Sequence, residues 1–461
     1  MLTPGPSRDR GAGLVLLAAV ALPLLLVLAG AREVYLAGAA VALLAVLVAC
    51  PREWLPSVAL VAFVVLPERA YPAFGLLKAV TASGLVLTVW AVRCARAPDP
   101  RSGGRDRALA RSAWAAPAVL LLLWSGLLLL THRDVSSLGW LVSITLSGLS
   151  PLLARRVGRE GAVLARTWVA AGTVASLYAQ LELRWQGNRL YDPLFDRAGV
   201  GSVQHWSVYR ADASFGHPLY AGTFFAVAVV LGLGLWLAHE QHARLYLALA
   251  AVNGLGVVST VSRGALYAVA AGVVVLLAGA FVARRPGWGR RAGVLAVLAA
   301  AAVVVLDPAR LQERADSTEG ARSASARHLL LDVALRAARA TDWLGAGPGA
   351  SQQAADQITG GYLMEDSWLQ LLVSLGLPGV LAAAALLVVL VRQALRAGNV
   401  VGVAAAATLG VALLGFNGLE GQRLLHVMIG CCLVVLLSPP TGPAAAPAAA
   451  RVRDRVGMLV R

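Results

Sequence analysis

The sequence predicts an all-α integral membrane protein, and three observations carry that prediction. Hydrophobic residues fill 58% of the 461 positions and charged residues only 14%, against about a quarter charged in a soluble chain. The apolar residues come in runs near the roughly twenty that one helical crossing requires. The net charge of +16 is delivered as short arginine clusters between those runs, as the positive-inside bias distributes it. Charge placed that way describes topology and not a polyanion groove, so nucleic acid is not an expected partner.

Taken in order, the candidate spans are 13–31, 34–49, 55–67, 73–92, 114–131, 135–153, 161–180, 218–238, 245–261, 264–283, 292–306, 367–391, 399–417 and 424–438. The first run follows Arg8 and Arg10 as a secretory signal would. It exceeds the usual signal core of about 7–15 residues and a second run follows at once, so a retained helix is expected. The run 55–67 is bounded by Pro56 and Pro67 and reads as a tilted or re-entrant piece. The expectation is 12–14 transmembrane helices in one polytopic domain, 1–461, with a large extracytoplasmic loop that contains short helices.

The arginines test this count. With fourteen crossings, Arg8 and Arg10, the cluster 93–111, Arg155 to Arg159, Arg284 to Arg291, Arg392 with Arg396, and the tail from Arg451 all fall on one side. That side is the cytoplasmic one, with both termini, and the loops 181–217 and 307–366 fall on the outer face. The segment 439–461 is Pro/Ala-rich and then basic, a flexible cytoplasmic tail able to touch anionic lipid heads. Cys50, Cys94, Cys431 and Cys432 lie in or beside apolar runs without metal-ligand spacing, so no metal is expected.

A bilayer offers no water to loose backbone groups, so a loop as long as 307–366 must lie outside the hydrocarbon. Any chemistry is expected there and in the shorter outer loop. In 181–217, Trp185, Tyr191, Trp206 and Tyr209 read as an interfacial aromatic belt. Arg210 precedes the turn SFGHP that leads into the next span, and a guanidinium there can grip a phosphate through two parallel hydrogen bonds. In 307–366, Leu329, Leu330, Val333 and Ala337 follow helical spacing, with Arg336 and Arg339 on another face. They predict an amphipathic helix on the outer leaflet, preceded by Arg322 and Arg327 and ended by the turn GAGPG. An arginine-rich outer loop opposes the positive-inside bias and so calls for an anionic partner.

Glu365 and Asp366 stand at the mouth of the span SWLQLLVSLGL. Asp366, or Ser367, suits the N-cap of that helix. Glu365 suits a general base, because partial burial raises a carboxylate toward a useful range. Arg263 occupies a very short outer turn, whereas Arg166 and Lys78 lie within spans and are expected to snorkel to the cytoplasmic interface.

Together SFGHPLYAGTFF, SRGALYAVAAGVVVLLAG, Arg327 ahead of DVALRAARATDWLGAGPG, and EDSWLQLLVSLGLPG resemble the O-antigen ligase and polymerase superfamily of multi-pass glycosyltransferases, over roughly 210–392. The resemblance implies transfer of a glycan from an undecaprenyl diphosphate carrier to an acceptor hydroxyl at the outer face of the cytoplasmic membrane, with inversion, no metal and no cofactor. It implies a lipid-linked glycan donor, a glycan or other hydroxyl acceptor, and membrane lipid as partners. Arg210 and Arg327 match the family's phosphate-binding arginines, and Arg322 and Arg263 are supporting cations. Glu365 stands where the family places a histidine base, and Asp366 where it places an asparagine, so this chain departs from the motif there. His217 and His328 are the nearby histidines, neither at the motif position. The other class that the composition admits is a non-enzymatic multi-pass transporter of an anionic solute. Paired halves with matching interrupted helices would mark it, and no such internal symmetry is visible.

Overall fold

The computed structural model describes residues 47, 49–66, 81–96, 105–132, 135–154, 157–197, 208–238, 241–283, 289–296, 318–360, 364–420 and 425–440. Every regular element among them is helical. The helices are α1 (Leu55–Val65), α2 (Ala82–Arg96), α3 (Arg105–His132), α4 (Val135–Ser143), α5 (Glu160–Trp185), α6 (Asp192–Arg197), α7 (Pro218–Ala238), α8 (Ala243–Ser259) and α9 (Arg263–Ala283). They continue with α10 (Thr318–Ala340), α11 (Ser351–Thr359), α12 (Ser367–Arg396), α13 (Val400–Ala412) and α14 (His426–Leu437). Among the described residues, six stretches are long and apolar enough to cross a bilayer: Ala113–His132, Ser136–Leu153, Glu160–Trp185, Pro218–Ala238, Arg263–Val282 and Ser367–Arg396. Ala243–Ser259, Val400–Gly415 and His426–Leu437 are shorter apolar helices beside them. The protein is therefore an all-α membrane protein. The candidate span 13–31, nearly all of 34–49, the start of 73–92, and most of 292–306 lie outside the described residues.

The bundle is built around α7. Apart from the partly buried Leu219, its residues are buried, so this helix, apolar all round, is a core element and not a lipid-facing one. Trp168 of α5 stacks on Phe224 of α7 with ring centroids 5.4 Å apart. Lipid-facing surface is instead supplied by α3, where Leu120, Leu123 and Leu130 are exposed, and by α9, where Tyr267, Val274 and Phe281 are exposed. The proposed re-entrant piece is α1, an eleven-residue helix with Pro56 in its first turn. At 1.5 Å per residue it covers about 16 Å, half of a hydrocarbon core.

Two helices depart from regular geometry, each for a local reason. After Ser143, α4 widens into a π-helical turn, Ile144–Leu149, and then tightens into a 3₁₀ turn, Ser150–Leu153. Thr88 Oγ1 donates to the loosened Leu146 carbonyl at 2.7 Å, and Gly430 of α14 approaches so closely that a Cβ there would meet the Ser147 carbonyl. In α12, Gly376 has φ 65 and ψ −172, and Pro378 follows. Proline lacks an N–H and its ring clashes with the carbonyl four residues back, so the helix breaks there into Ser367–Leu375 and the stretch from Leu377 to Arg396.

The bundle has two chemically distinct ends. At one, arginines serve helix termini: Arg52 pairs with the buried Glu160 at 3.1 Å, Arg93 donates to the Cys50 carbonyl at 3.3 Å, and Arg291 donates to the Trp236 and Leu237 carbonyls at 3.1 Å. Asn399 closes the same end by donating to the Val435, Leu436 and Ser438 carbonyls. The other end carries the C-terminus of α5, the N-termini of α7, α9 and α12, and the layer formed by α10 and α11. The segment after α5 and the segment before α12, far apart in sequence, thus meet at one end of the bundle.

Candidate functional site

Arg210 is the centre of the first half of the site. It is 2% exposed, and its Nε donates to the Thr260 carbonyl at 2.8 Å, while the next residue, Ala211, donates its N–H to the Ser259 carbonyl at 3.0 Å. This clasp ties the chain ahead of α7 to the turn between α8 and α9, and that turn ends in Arg263, the partly exposed first residue of α9. Two non-glycine residues with positive φ flank the clasp, Ala213 at 49° and Val261 at 47°. Such geometry costs of order 1–3 kcal/mol per residue and persists where surrounding contacts dictate it.

Those contacts are polar and buried. Glu182, in the last turn of α5, is fully buried and accepts the N–H groups of Asp212 at 3.0 Å and Ala213 at 3.2 Å on one oxygen. Asn188 donates to Asp212 Oδ1 at 2.8 Å and to the Ala213 carbonyl, and it accepts from Tyr178 Oη at 2.7 Å. Ser214 Oγ donates to the Val64 carbonyl of α1. Tyr191, expected in an interfacial belt, is 7% exposed and packs with Leu194 and Phe195 in a small core of its own. Burial pushes its phenol up to about 12. The belt expectation is corrected for Tyr191, whereas Trp185 remains half-exposed under the Arg189 guanidinium, 5.0 Å from its ring centre. Trp206 lies outside the described residues.

The second half is the layer formed by α10, the turn Thr341–Gly349, α11 and the first turns of α12. The amphipathic helix exists as α10, longer than its apolar repeat. Leu330, Val333, Ala334 and Ala337 are buried and pack with Ala355 of α11 and Val373 of α12. The apolar face is therefore covered by protein and does not lie on the outer leaflet, and Leu329, expected on that face, is 47% exposed. Arg336 pairs with Asp332 one turn earlier, and Arg339 is exposed. The side chains of Arg322, Arg327 and His328 lie outside what is described.

The turn after α10 fills the break in α12. Ala346 N–H donates to the Val373 carbonyl at 2.9 Å, Gly347 N–H to the Ser374 carbonyl at 3.0 Å, and Leu377 N–H to the Trp343 carbonyl at 2.8 Å. Trp124 Nε1 of α3 takes the Leu375 carbonyl at 2.7 Å. Backbone groups released by Gly376 and Pro378 are thereby satisfied inside an apolar bundle, as they must be.

A turn near the C-terminus joins the two halves, and sequence reasoning did not single it out. Phe416 packs on Tyr220 at 5.4 Å, and Tyr220 on His217 at 4.8 Å. The Phe416 carbonyl accepts from Ser367 Oγ at 2.7 Å, and Ser367 Oγ in turn accepts from Gly418 N–H at 2.9 Å. Glu420 accepts from the Ser351 N–H at 3.0 Å and from its hydroxyl, anchoring α11. Leu419 offers its carbonyl to Trp140 Nε1 and to the fully buried His426, each at 2.8 Å. His132, at the end of α3, lies against Gly347. The only sequence signal for this hub was a run of polar residues, FNGLEGQR, interrupting two apolar segments.

Among the predicted residues, Asp366 is the N-cap of α12, accepting from Trp368 N–H at 2.8 Å and Leu369 N–H at 3.0 Å. Glu365 precedes it, half-exposed, and makes no ion pair among the described residues. His217 is half-buried under Tyr220. The structure thus sets Arg210, Arg263, His217, Glu365 and Asp366 at one end of one bundle, linked through Thr260, Tyr220, Phe416 and Ser367. Among the described residues no three His, Cys, Asp or Glu side chains gather as a metal cluster.

Fold and site define a multi-pass helical membrane protein with a polar layer folded over one end. Residues 245–384, from α8 to the middle of α12, match the family model described as O-antigen ligase, and that match supports the resemblance to the O-antigen ligase superfamily. The family carries a coarse functional class, a glycosyltransferase-like membrane enzyme with a lipid-linked glycan donor and a glycan acceptor. No curated protein matches the chain.

Proposed function

We propose that this protein is a glycan polymerase or ligase that transfers a glycan from a polyprenyl (undecaprenyl) diphosphate to an acceptor hydroxyl at the outer face of the cytoplasmic membrane. The observation that carries the reading is the Arg210 clasp. A buried guanidinium is fixed by the Thr260 carbonyl, three residues from Arg263, at the bundle end that also bears Glu365.

In this reading Arg210 and Arg327, supported by Arg263 and Arg322, bind the diphosphate. The acceptor oxygen forms a bond to the anomeric carbon as the bond from that carbon to the diphosphate oxygen breaks. The electron pair leaves with the diphosphate, whose growing charge the arginines neutralise. The acceptor proton passes to Glu365, and attack opposite the leaving group inverts the anomeric carbon. Asp366 holds the first turn of α12 and so fixes the backbone that carries Glu365. The reading needs no metal or cofactor. The outer placement rests on the arginines that gather at the opposite end of the bundle.

The transporter alternative requires a broken helix whose freed backbone groups face a solute near mid-membrane. The groups freed in α12 are instead taken up by residues 343–347 and Trp124, which favours the enzyme. The test is gene deletion with analysis of surface glycan length and attachment, complemented by wild type, Arg210→Ala and Glu365→Gln. Accumulated lipid-linked glycan that only wild type relieves is the expected result. Unchanged glycan with altered uptake of an anionic solute sinks the proposal.

A further inference from the structure

The polar frame around Asp212 and Ala213 has no part in the chemistry outlined above, and its composition is unusual for its place. Glu182, Asn188 and Asp212 are 0%, 2% and 2% exposed, in a membrane protein where apolar residues would fill the same volume at lower cost. One oxygen of Glu182 holds two successive backbone N–H groups, while its other oxygen is buried without a hydrogen-bond partner among the described residues. Asn188 grips the same two residues from the opposite side and is itself set by Tyr178.

What this frame fixes is the course of the chain immediately after Arg210. Ala213 is forced to φ 49, and on the facing segment Val261 to φ 47, a β-branched residue in a region that such residues rarely enter. Between these two strained points lie the bonds from Arg210 and Ala211 to Thr260 and Ser259. Backbone strain imposed by buried hydrogen bonds on both sides of one guanidinium is the pattern of a preorganised ligand group.

We propose that Glu182 is a positioning residue for Arg210: by accepting the N–H groups of Asp212 and Ala213, with Asn188 as the opposing arm, it holds the guanidinium where a diphosphate binds. This rests on the reading of Arg210 as a diphosphate ligand. The acceptor oxygen, not the negative charge, is what the role requires. A glutamine at this position keeps an oxygen for both N–H groups, whereas alanine leaves them without one.

The experiment measures binding of inorganic pyrophosphate to the full-length protein in detergent by calorimetry, alongside thermal unfolding. Arg210→Ala is expected to weaken binding about tenfold or more, and Glu182→Ala by about tenfold, the loss of one well-placed contact. Glu182→Gln is expected to stay within about threefold of wild type. Asn399→Ala, at the opposite end, controls for lost stability and is expected to unfold earlier with unchanged pyrophosphate affinity. Should Glu182→Ala fail to fold, Asn188→Ala removes the other arm and is read the same way. Wild-type affinity in Glu182→Ala or in Asn188→Ala, with Arg210→Ala impaired, overturns the positioning role and leaves the reading of Arg210 standing. An equal loss in Glu182→Gln and Glu182→Ala overturns it too, because the gripping oxygen is retained in the first. Unchanged binding in Arg210→Ala removes the reading and the positioning role together.

Discussion

Gly345 and Gly376 are packed backbone against backbone, each with positive φ, 104° and 65°. A Cβ on Gly345 would stand 2.6 Å from the Leu375 carbonyl carbon and the Ser374 oxygen, and one on Gly376 would stand 2.2 Å from the Trp343 oxygen. Neither contact involves a flexible side chain that can move aside. The large loop and the broken helix are therefore one interlocked unit, and the polar layer has a fixed height relative to the bundle.

Gly376→Ala and Gly345→Ala are each expected to lower stability by about 2–3 kcal/mol, combining a left-handed backbone with a backbone clash. Thermal unfolding of the purified protein measures this. Gly410→Ala, at a position with open space around its Cβ, is the comparison and should change little.

Arg210→Lys separates charge from geometry. Lysine keeps the positive charge but lacks the planar fork that donates to Thr260 and that, in the proposed function, also holds the diphosphate. Glycan transfer should fall by about 10²-fold, nearly as far as in Arg210→Ala, as for the loss of one preorganised donor. Rates close to wild type for the lysine variant would mean that the clasp is irrelevant to transfer.

The adjacent carboxylates at the start of α12 are expected to part ways. Glu365→Gln should reduce transfer by about 10²–10⁴-fold with stability unchanged, the range of a general base. Asp366→Ala removes the acceptor for the Trp368 and Leu369 N–H groups and should cost about 1 kcal/mol of stability with a smaller loss of rate. In vitro transfer and thermal unfolding, run on both variants, read the two effects separately.

Glu420→Ala should release α11. The variant leaves the Ser351 N–H and hydroxyl without their carboxylate partner, a local loss of about 1–3 kcal/mol. Hydrogen exchange should accelerate over residues 351–359 and not over α7. Uniform acceleration across the chain would show that the contact stabilises the whole bundle instead.

Sidedness is open to direct labelling. The four native cysteines are buried, so single cysteines at the exposed positions Asp356 and Arg396 give clean readouts. An impermeant thiol reagent applied to intact cells should modify the first and spare the second. Labelling of both, or of Arg396→Cys alone, contradicts the topology proposed from the arginines.

Much of this architecture was legible in the sequence because hydrophobicity and helix capping are local. The runs of apolar residues marked α3, α5, α7, α9 and α12, and the spacing of Leu330, Val333 and Ala337 marked α10. Asp366 was readable as an N-cap. Leu329 and Tyr191 were misplaced because helical periodicity and aromatic character do not reveal which surface a helix or ring meets, and here that surface was protein. The Phe416–Glu420 hub went unseen because its contacts reach Tyr220, Trp140 and Ser351 across long stretches of chain. Glu182 did carry a local signal: an acidic residue beside an apolar run, in the last turn of what became a 26-residue helix.

The enclosure of α7 has a consequence for biosynthesis. This helix leaves the ribosome well before α8, α9 and α13 exist to surround it, so it must first lodge among acyl chains. Its mean hydropathy of 2.1 makes that temporary lodging favourable, and later helices then displace lipid from it. The central pillar of the mature protein is thus written as a segment that can wait in the bilayer for its neighbours.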